Sequence, residues 1–591
     1  MARVLELEHH LLKDNTAVHI ARHYINWDGR RQNWVKEKEE IQRYIFATDT
    51  TKTTNSKLPW SNKTTLPKLT QIRDNLSANY MAAMFPKRKW LMWEADDKES
   101  NSPEKVKAIE TYMSWVLDRN QFYSEVSKLV LDYIDYGNAF ATVEWTDQTV
   151  LTDQKEQVGY VGPAIRRINP LDIVFNPTAP SFETSPKIVR SLVTMGEVHE
   201  MLERLSLDDK EREFYKELYD YMLKVRLLAA EHPGNVKTLD AIFNISGFDS
   251  FRAYLASNFV EILTFYGDIY DRHTDTFHKN RIIKVVDRHR VMCEYDNPSY
   301  FGCAPIYHAG WRIRPDNLWA MGPLDNLVGM QYRIDHLENM KADVFDLIAY
   351  PPLKIKGYVE DFEWGPFERI YTGDDGDVEL LSPNVQALQA DNQIMMLEAK
   401  MEEMAGSPKE AMGFRTPGEK TAYEVQRLEN AASRIFTNKI AQFERDVTEP
   451  LINAMLELAR RNLNKATVRT FDPEFKVALF QDTTPEDITG NGRIKPIAAR
   501  HFAERAQQIQ DINAFFGSPV GQDPMVKVHF SGLKTAQLFE HLLEIQDYEL
   551  VSPYVALAEQ KDMQMAQNSQ QEQIAMETTT PSGLTPDDHD L

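Results

Sequence analysis

Residues 322–352, GPLDNLVGMQYRIDHLENMKADVFDLIAYPP, open the stretch whose reading decides the fold. Pro323 stands where the first helical residue should be, a place where its missing N–H costs nothing. The helix is expected to run to Tyr350 and stop at Pro351-Pro352, which cannot continue it. A short β segment follows. Ser382-Pro383 opens a second helix, and Gly406 with Pro408 just beyond closes it. Thr416-Pro417-Gly418-Glu419 reads as a capping box with Pro at the first helical position, so a third helix starts sharply there. Its apolar residues at 422, 425, 428, 432, 435, 436, 440, 443, 447, 451, 454, 455 and 458 form one stripe, spaced mostly by three or four. At ~1.5 Å per residue the first helix spans about 45 Å and the third about 65 Å, with a bend expected near Pro450. Long helices returning on each other through a small β excursion suit the staves of a ring better than an enzyme core.

Composition narrows the function classes. The 591 residues include 42% hydrophobic and 26% charged side chains, ordinary values for a globular protein of several packed units. There is no apolar run of about 18 residues to span a membrane, and the N-terminal MARVLELEHHLLKD carries charges through its apolar part, unlike a signal peptide. The two cysteines, Cys293 and Cys303, exclude a disulfide framework and point to a reducing compartment. No metal or other cofactor is expected. The net charge of −22 argues against ordinary duplex binding, which depends on neutralising phosphates.

Ahead of the opening stretch, residues 1–50 read as helical and charged, with Trp27 and Trp34 as docking aromatics, and 48–57 as a polar loop. Helices are expected over 67–85 and 102–136, with a strand at 89–95 between them. DYIDYGNAFATVEW turns helix into strand at Gly137-Asn138. A strand over RRINPLDIVFNPTA carries two Asn-Pro turns, and 196–230 is helical again. VEILTFYGDIYD, RIIKVVDRHRVMCEY and APIYHAGWRI form a β meander over 260–314. Beyond the third helix, FKVALFQD is a returning strand, 494–550 is helical, and the Gln-, Met- and Thr-rich end from about Asp562 cannot bury a core. The fold class is α+β, mainly α.

Several motifs look like chemistry and are not. Gly413–Thr421 imitates a phosphate-binding loop, but Glu419 sits where the lysine must directly follow the glycine, and the segment follows a helix. Asp374-Asp375-Gly376-Asp377-Val378-Glu379 lacks the twelve-position spacing of a calcium loop. His9, His10 and His308 have no metal-ligand spacing and read as surface or packing residues, and no hydrolase or zinc-protease motif occurs. No enzymatic activity is expected.

Taken in order, DYIDYGNAFATVEW, INPLDIVFNPTA, the 322–343 helix with YPPLKIKG after it, and GEKTAYEVQRLENAASRIF make the chain resemble the portal, or head-to-tail connector, proteins of tailed bacteriophages. The resemblance covers about Thr65 to Ile545 and rests on the order of elements. It implies a portal fold: N-terminal helices and an α+β wing (1–320), a first stem helix (321–352), a β clip (353–382), and a second stem helix (383–405). A tunnel loop (406–416), a channel and wing helix (417–462), a return to the wing (463–493), crown helices (494–561) and a disordered tail (562–591) complete it. The implied assembly is a ring, twelvefold in related proteins, at one capsid vertex of the virion, built in the host cytoplasm. The implied partners are double-stranded DNA in the channel, the terminase large subunit, the major capsid protein or scaffold, and tail adaptors.

On that resemblance Lys409, Met412, Phe414, Arg415 and Lys420 belong to the tunnel loop. There the basic residues either touch phosphates transiently or pair with Glu410 and Glu419. Trp364, Phe367 and Arg369 belong to a clip interface, since exposed aromatics in a small excursion serve packing or partners. Tyr332, Asp335, Glu338, Glu398 and Glu402 belong to the stem. Residues 353–404 hold four basic against twelve acidic residues, a net −8. In a ring this charge would line or flank a pore and leave a duplex nothing to hold. Two rivals are an ATPase using 413–421 and a helical scaffold or adaptor without a channel.

Overall fold

The computed structural model describes residues 4–7, 13–46, 61–85, 90–97, 100, 102–152, 155–204, 209–231, 259–272, 275–297, 305–359, 370–371, 373–381, 385–405, 438–463, 466–471 and 478–496, with 512, 515 and 534–538 beyond them. The chain divides into two compact units, Met1–Pro496 and Ile497–Leu591. The first unit is mixed α+β, with more helix than strand.

Helix α1 (Lys13–Ile45) places Ala17, Ile20, Ala21, Tyr24 and Trp27 at helical spacing along one buried face. That face packs on a sheet ordered β5 (Ile173–Phe175), β6 (Lys187–Thr194), β7 (Phe259–Asp271), β8 (Thr276–Val286) and β9 (Arg290–Asp296). Leu263 and Phe265 of β7 point toward α1, whereas Val260 and Ile262 point to the opposite face. There Val198 of α5 (Met195–Arg204) and Leu218 and Met222 of α6 (Asp209–Glu231) cover them. Burial on both faces explains why apolar residues fall on both faces of VEILTF and do not simply alternate with polar ones. One expectation fails at the N-terminus: Val4–Leu7 is a strand, β1, parallel to the far end of β7. Its Val-Leu-Glu-Leu alternation is a two-residue period too short to stand out beside a 33-residue helix.

The meander expectation is corrected as well. Ile306–Gly310 (β10) does not continue the first sheet but joins β3 (Asn138–Thr152) and β4 (Lys155–Ile168) in a second. A small hairpin, β11 (Arg312–Arg314) with β12 (Asn317–Met321), follows it and leads toward residue 322. Asn138 makes the β3–β10 pairing specific. Its buried Oδ1 accepts the Ala320 N–H at 3.1 Å and lies 3.0 Å from His308 Nε2, and its Nδ2 donates to the Tyr136 and Ala320 carbonyls at 3.0 Å. His308 is a packing residue, its ring stacked 4.6 Å from that of Phe140. Burial, helped by Lys187, pushes it down to about 3 and keeps it neutral.

Asn-Pro turns fall where the sequence places them, and they cut the expected strand in two. Asn169 Oδ1 accepts the Leu171 N–H at 3.2 Å, and Arg31 of α1 donates to the Pro170, Leu171 and Ile173 carbonyls at 2.8, 2.5 and 2.8 Å. Trp34, one turn further along α1, packs its ring 4.4 Å from that of Trp319, the two planes tilted by 36°.

The expected helix over 102–136 is two, α3 (Pro103–Arg119) and α4 (Phe122–Asp135), broken at Gln121 with φ +51°. The break lets Leu117 and Phe122 share one core with α2 (Lys68–Met84). Strand β2 (Leu91–Ala95) pairs there with Gly492–Pro496, so the first three residues of the expected 494–550 helices are strand. Within this core Asp132 accepts two bonds from Arg167 at 2.5 and 2.7 Å. Burial outweighs that guanidinium and pushes the carboxyl up to about 6. A raised carboxyl pKa contributes stability that is complete below about pH 4 and is lost as pH rises through 6. Unfolding free energy should therefore fall between pH 4.5 and 6.5, and Asp132→Asn should flatten that slope in denaturant titrations.

Candidate functional site

The projecting part of the molecule begins where two glycines meet. Gly137 has φ +72°, and the space its side chain would fill is occupied by the Met321-Gly322 backbone. Residues 322–327 then form tight turns. The Asp325 carboxylate accepts the Gly322 N–H at 2.9 Å and also pairs with buried Lys38 of α1. The helix expected from Pro323, α7, consequently starts at Val328 and ends at Ala349. Its 22 residues make it about 33 Å long, shorter than the sequence suggests.

One face of α7 carries a polar ladder. Gln331, Asp335, Asn339 and Asp343, each four residues after the last, bond the backbone of residues 61–69, which runs extended up to the start of α2. Asp343 accepts the Ser61 and Asn62 N–H groups, both at 2.8 Å. Asn339 accepts the Thr64 N–H at 2.7 Å and donates to the Thr64 carbonyl at 2.8 Å. Asp335 accepts the Leu66 N–H at 3.0 Å, and Gln331 donates to the Leu66 carbonyl at 2.5 Å and accepts the Leu69 N–H at 3.2 Å. A strap of extended chain is thus bound to a helix as it would be to a neighbouring strand. The only sequence signal was the spacing of these four residues, which is also that of a solvated helix face.

Past Tyr350 the chain forms a hairpin, β13 (Leu353–Lys356) against β14 (Asp377–Leu380), with Lys354 and Glu379 bridged at 2.8 Å. It returns through a 3-10 turn, Val385–Ala390, into α8 (Asp391–Ala405). The 3-10 turn delays the α-helix relative to the expected start at Pro383. Ile394 and Met401 pack inward. Lys341 of α7 bridges Asp391 at 2.6 Å and Glu338 at 3.0 Å, and Lys68 bridges Glu402 at 2.7 Å with both side chains buried.

The stem residues singled out from the sequence therefore divide. Tyr332 is exposed, Glu338 and Glu398 are half-buried, and Asp335 and Glu402 are buried inside the subunit. Those last two carboxylates are taken up by the strap and by Lys68 and do not contribute charge to an outer surface. Trp364, Phe367 and Arg369, the tunnel-loop residues Lys409, Met412, Phe414, Arg415 and Lys420, and the 413–421 and 416–419 motifs lie outside the described residues.

Exposed apolar side chains gather on this projection. Phe345 is 53% exposed, Ile348 44%, Ile355 53%, Tyr358 77% and Met395 59%, joined by Leu347, Tyr350, Tyr371, Leu380, Leu381, Met396 and Met404. The base of α7 is buried and its outer half is bare.

The third long helix, described from residue 438, returns to the body. It shows a π turn, Glu444–Thr448, before α9 (Glu449–Asn462). The bend expected at Pro450 is expressed as this wider turn. Among the described residues no group of His, Cys, Asp and Glu could hold a metal ion, and no helix is long and apolar enough to cross a membrane.

A search of curated proteins finds no match. Residues 18–157, from α1 through α2, α3 and α4 into the β3–β4 hairpin, match the sequence model of the bacteriophage head to tail connecting protein. The matched stretch holds Gly137-Asn138, against which the Met321-Gly322 backbone ahead of α7 packs. Over these residues, about a quarter of the chain, the protein is similar to the bacteriophage head to tail connecting proteins, which supports a place among the phage connectors.

Proposed function

We propose that the chain is the subunit of a closed portal ring at one capsid vertex, through which the phage genome enters during packaging and leaves on ejection. The similarity to the head to tail connecting proteins over residues 18–157 supports a structural component of the virion that takes part in joining head to tail. The observation that carries the finer reading is the apolar outer half of the stem. A monomer rarely leaves so many large apolar side chains bare on one projection, and a patch of this kind marks an interface. Each such side chain contributes about 1.5–3 kcal/mol when fully buried. The stem helices flank one another only in part, so side-to-side neighbours would cover what remains, and a head-to-tail contact that closes gives a ring.

On this reading residues 322–405 form stem and clip, and the acidic balance of 353–404 keeps a duplex from adhering. The clip offers its surface to the packaging motor first and to tail adaptors later. Hydrolysis belongs to that motor. Native mass spectrometry tests the ring: the expected result is one large cyclic species, and only monomers and dimers at micromolar concentration would refute it. Ile348→Glu with Met395→Glu should abolish assembly while shifting the monomer's stability by no more than about 0.5 kcal/mol per site, as for exposed positions generally. Size-exclusion chromatography and thermal denaturation of the same sample check both halves.

A further inference from the structure

The helix running from residue 438 to Asn462 is clamped on both sides of its irregular turn. Upstream, Lys439 donates to the Trp311 carbonyl and Gln442 Nε2 to the Gly310 carbonyl at 2.9 Å. Downstream, Asn453 exchanges bonds of 2.9 and 2.8 Å with Ile494, and Arg460 donates to the Ile488 carbonyl at 2.9 Å. Between the clamps the Glu449 N–H reaches back five residues to the Glu444 carbonyl. Pro450 follows at once. It has no N–H and its ring crowds the carbonyl four residues earlier, so the extra residue sits where the α ladder is already interrupted.

Inside this turn the Glu444 side chain is buried with Oε1 unpartnered, and Thr448 Oγ1, four residues on, is buried and unpartnered too. Among the described residues the charged and titratable groups around it are few. Glu449 lies 3.6 Å from Arg493, and Asp446 lies 3.0 Å from Arg445. Tyr133 of α4 packs its ring 5.1 Å from Phe443, and Tyr307 of β10 lines the same core. Burial, with the Glu449 carboxylate adding to it, pushes Glu444 up to about 8.

We infer that Glu444–Thr448 is a proton-controlled joint in this helix. With a neutral carboxyl the π turn stays packed. When the carboxyl ionises it is drawn toward water, the extra residue is released, and the upstream segment turns relative to the downstream one by about 100°, one residue's worth of helix. A raised carboxyl pKa makes the packed turn stable at low pH and weakens it as pH rises through about 8.

Hydrogen–deuterium exchange of the full chain between pH 6.5 and 9.5, corrected for intrinsic base catalysis, tests this. Amides 444–449 should exchange at least tenfold faster at pH 9 than at pH 7, with α4 amides unchanged, and Glu444→Gln should abolish the rise. A flat wild-type profile, a rise shared by α4, or a rise that survives in Glu444→Gln would overturn the inference. Should Glu444→Gln fail to fold, the half-exposed Glu449→Gln decides. Removing its charge should move the midpoint to lower pH, and an unmoved midpoint would overturn the joint.

Discussion

Gly137→Ala is expected to be among the most damaging single substitutions in the chain. A left-handed backbone costs a residue with a Cβ about 1–2 kcal/mol, and φ here is +72°. The added carbon would also lie 2.6 Å from the Met321 carbonyl carbon and 2.8 Å from Gly322 Cα, backbone atoms that no rotamer change can move. Overpacking of this kind adds about 1–3 kcal/mol, so a total of roughly 2–5 kcal/mol is expected. On the proposed ring the loss should reach assembly too, because the displaced backbone leads into α7. Chemical denaturation and the ring fraction, measured on one preparation, check both. A variant that melts and assembles like the wild type would show that the two glycines do not touch.

Lys68→Met should be comparably costly for a different reason. Lys68 and Glu402 are both buried and bridged at 2.7 Å, and removing one member of such a pair costs about 3–5 kcal/mol because the other charge is stranded. The double change Lys68→Met with Glu402→Leu should recover most of that loss. Denaturant midpoints of the two single variants and the double variant give the coupling directly. Equal losses in Lys68→Met and in the double variant would mean that the packing of the lysine stem matters and the pair does not.

What could be read from the sequence were the points where one residue type admits one conformation. Gly137-Asn138 turns the chain, the Asn-Pro pairs end strands, and Pro351-Pro352 follows the end of α7. Long periodic stretches such as α1 and 438–462 were legible for the same reason: a 3.6-residue stripe has no other use. Pairing was not legible. Alternation marks β10 as a strand, but only the buried Asn138 amide, meeting His308 and Ala320, puts it beside β3. The start of α7 was misplaced because Asp325 serves Gly322 and Lys38 at once and holds the first six residues in turns. The strap went unseen because Asp335, Asn339 and Asp343 carry the same polarity whether they face water or a bound backbone. Glu402 was counted in the acidic balance of 353–404 for a similar reason.

The strap and α7 measure distance in different steps. Four helical residues advance about 6.0 Å, whereas two extended residues advance about 6.6 Å. Rungs at Leu66, Thr64 and Asn62 therefore drift from their helical partners by about 0.6 Å each time, close to 2 Å by a fourth rung. Hydrogen bonds tolerate roughly the first 0.5 Å of such drift, and bending of the strap absorbs the rest only briefly. The ladder works as a vernier, in register over a few divisions and out of register beyond them. Sliding by less than one division would misplace every rung together, so α7 can shift along the strap only in steps of about 6 Å, or not at all.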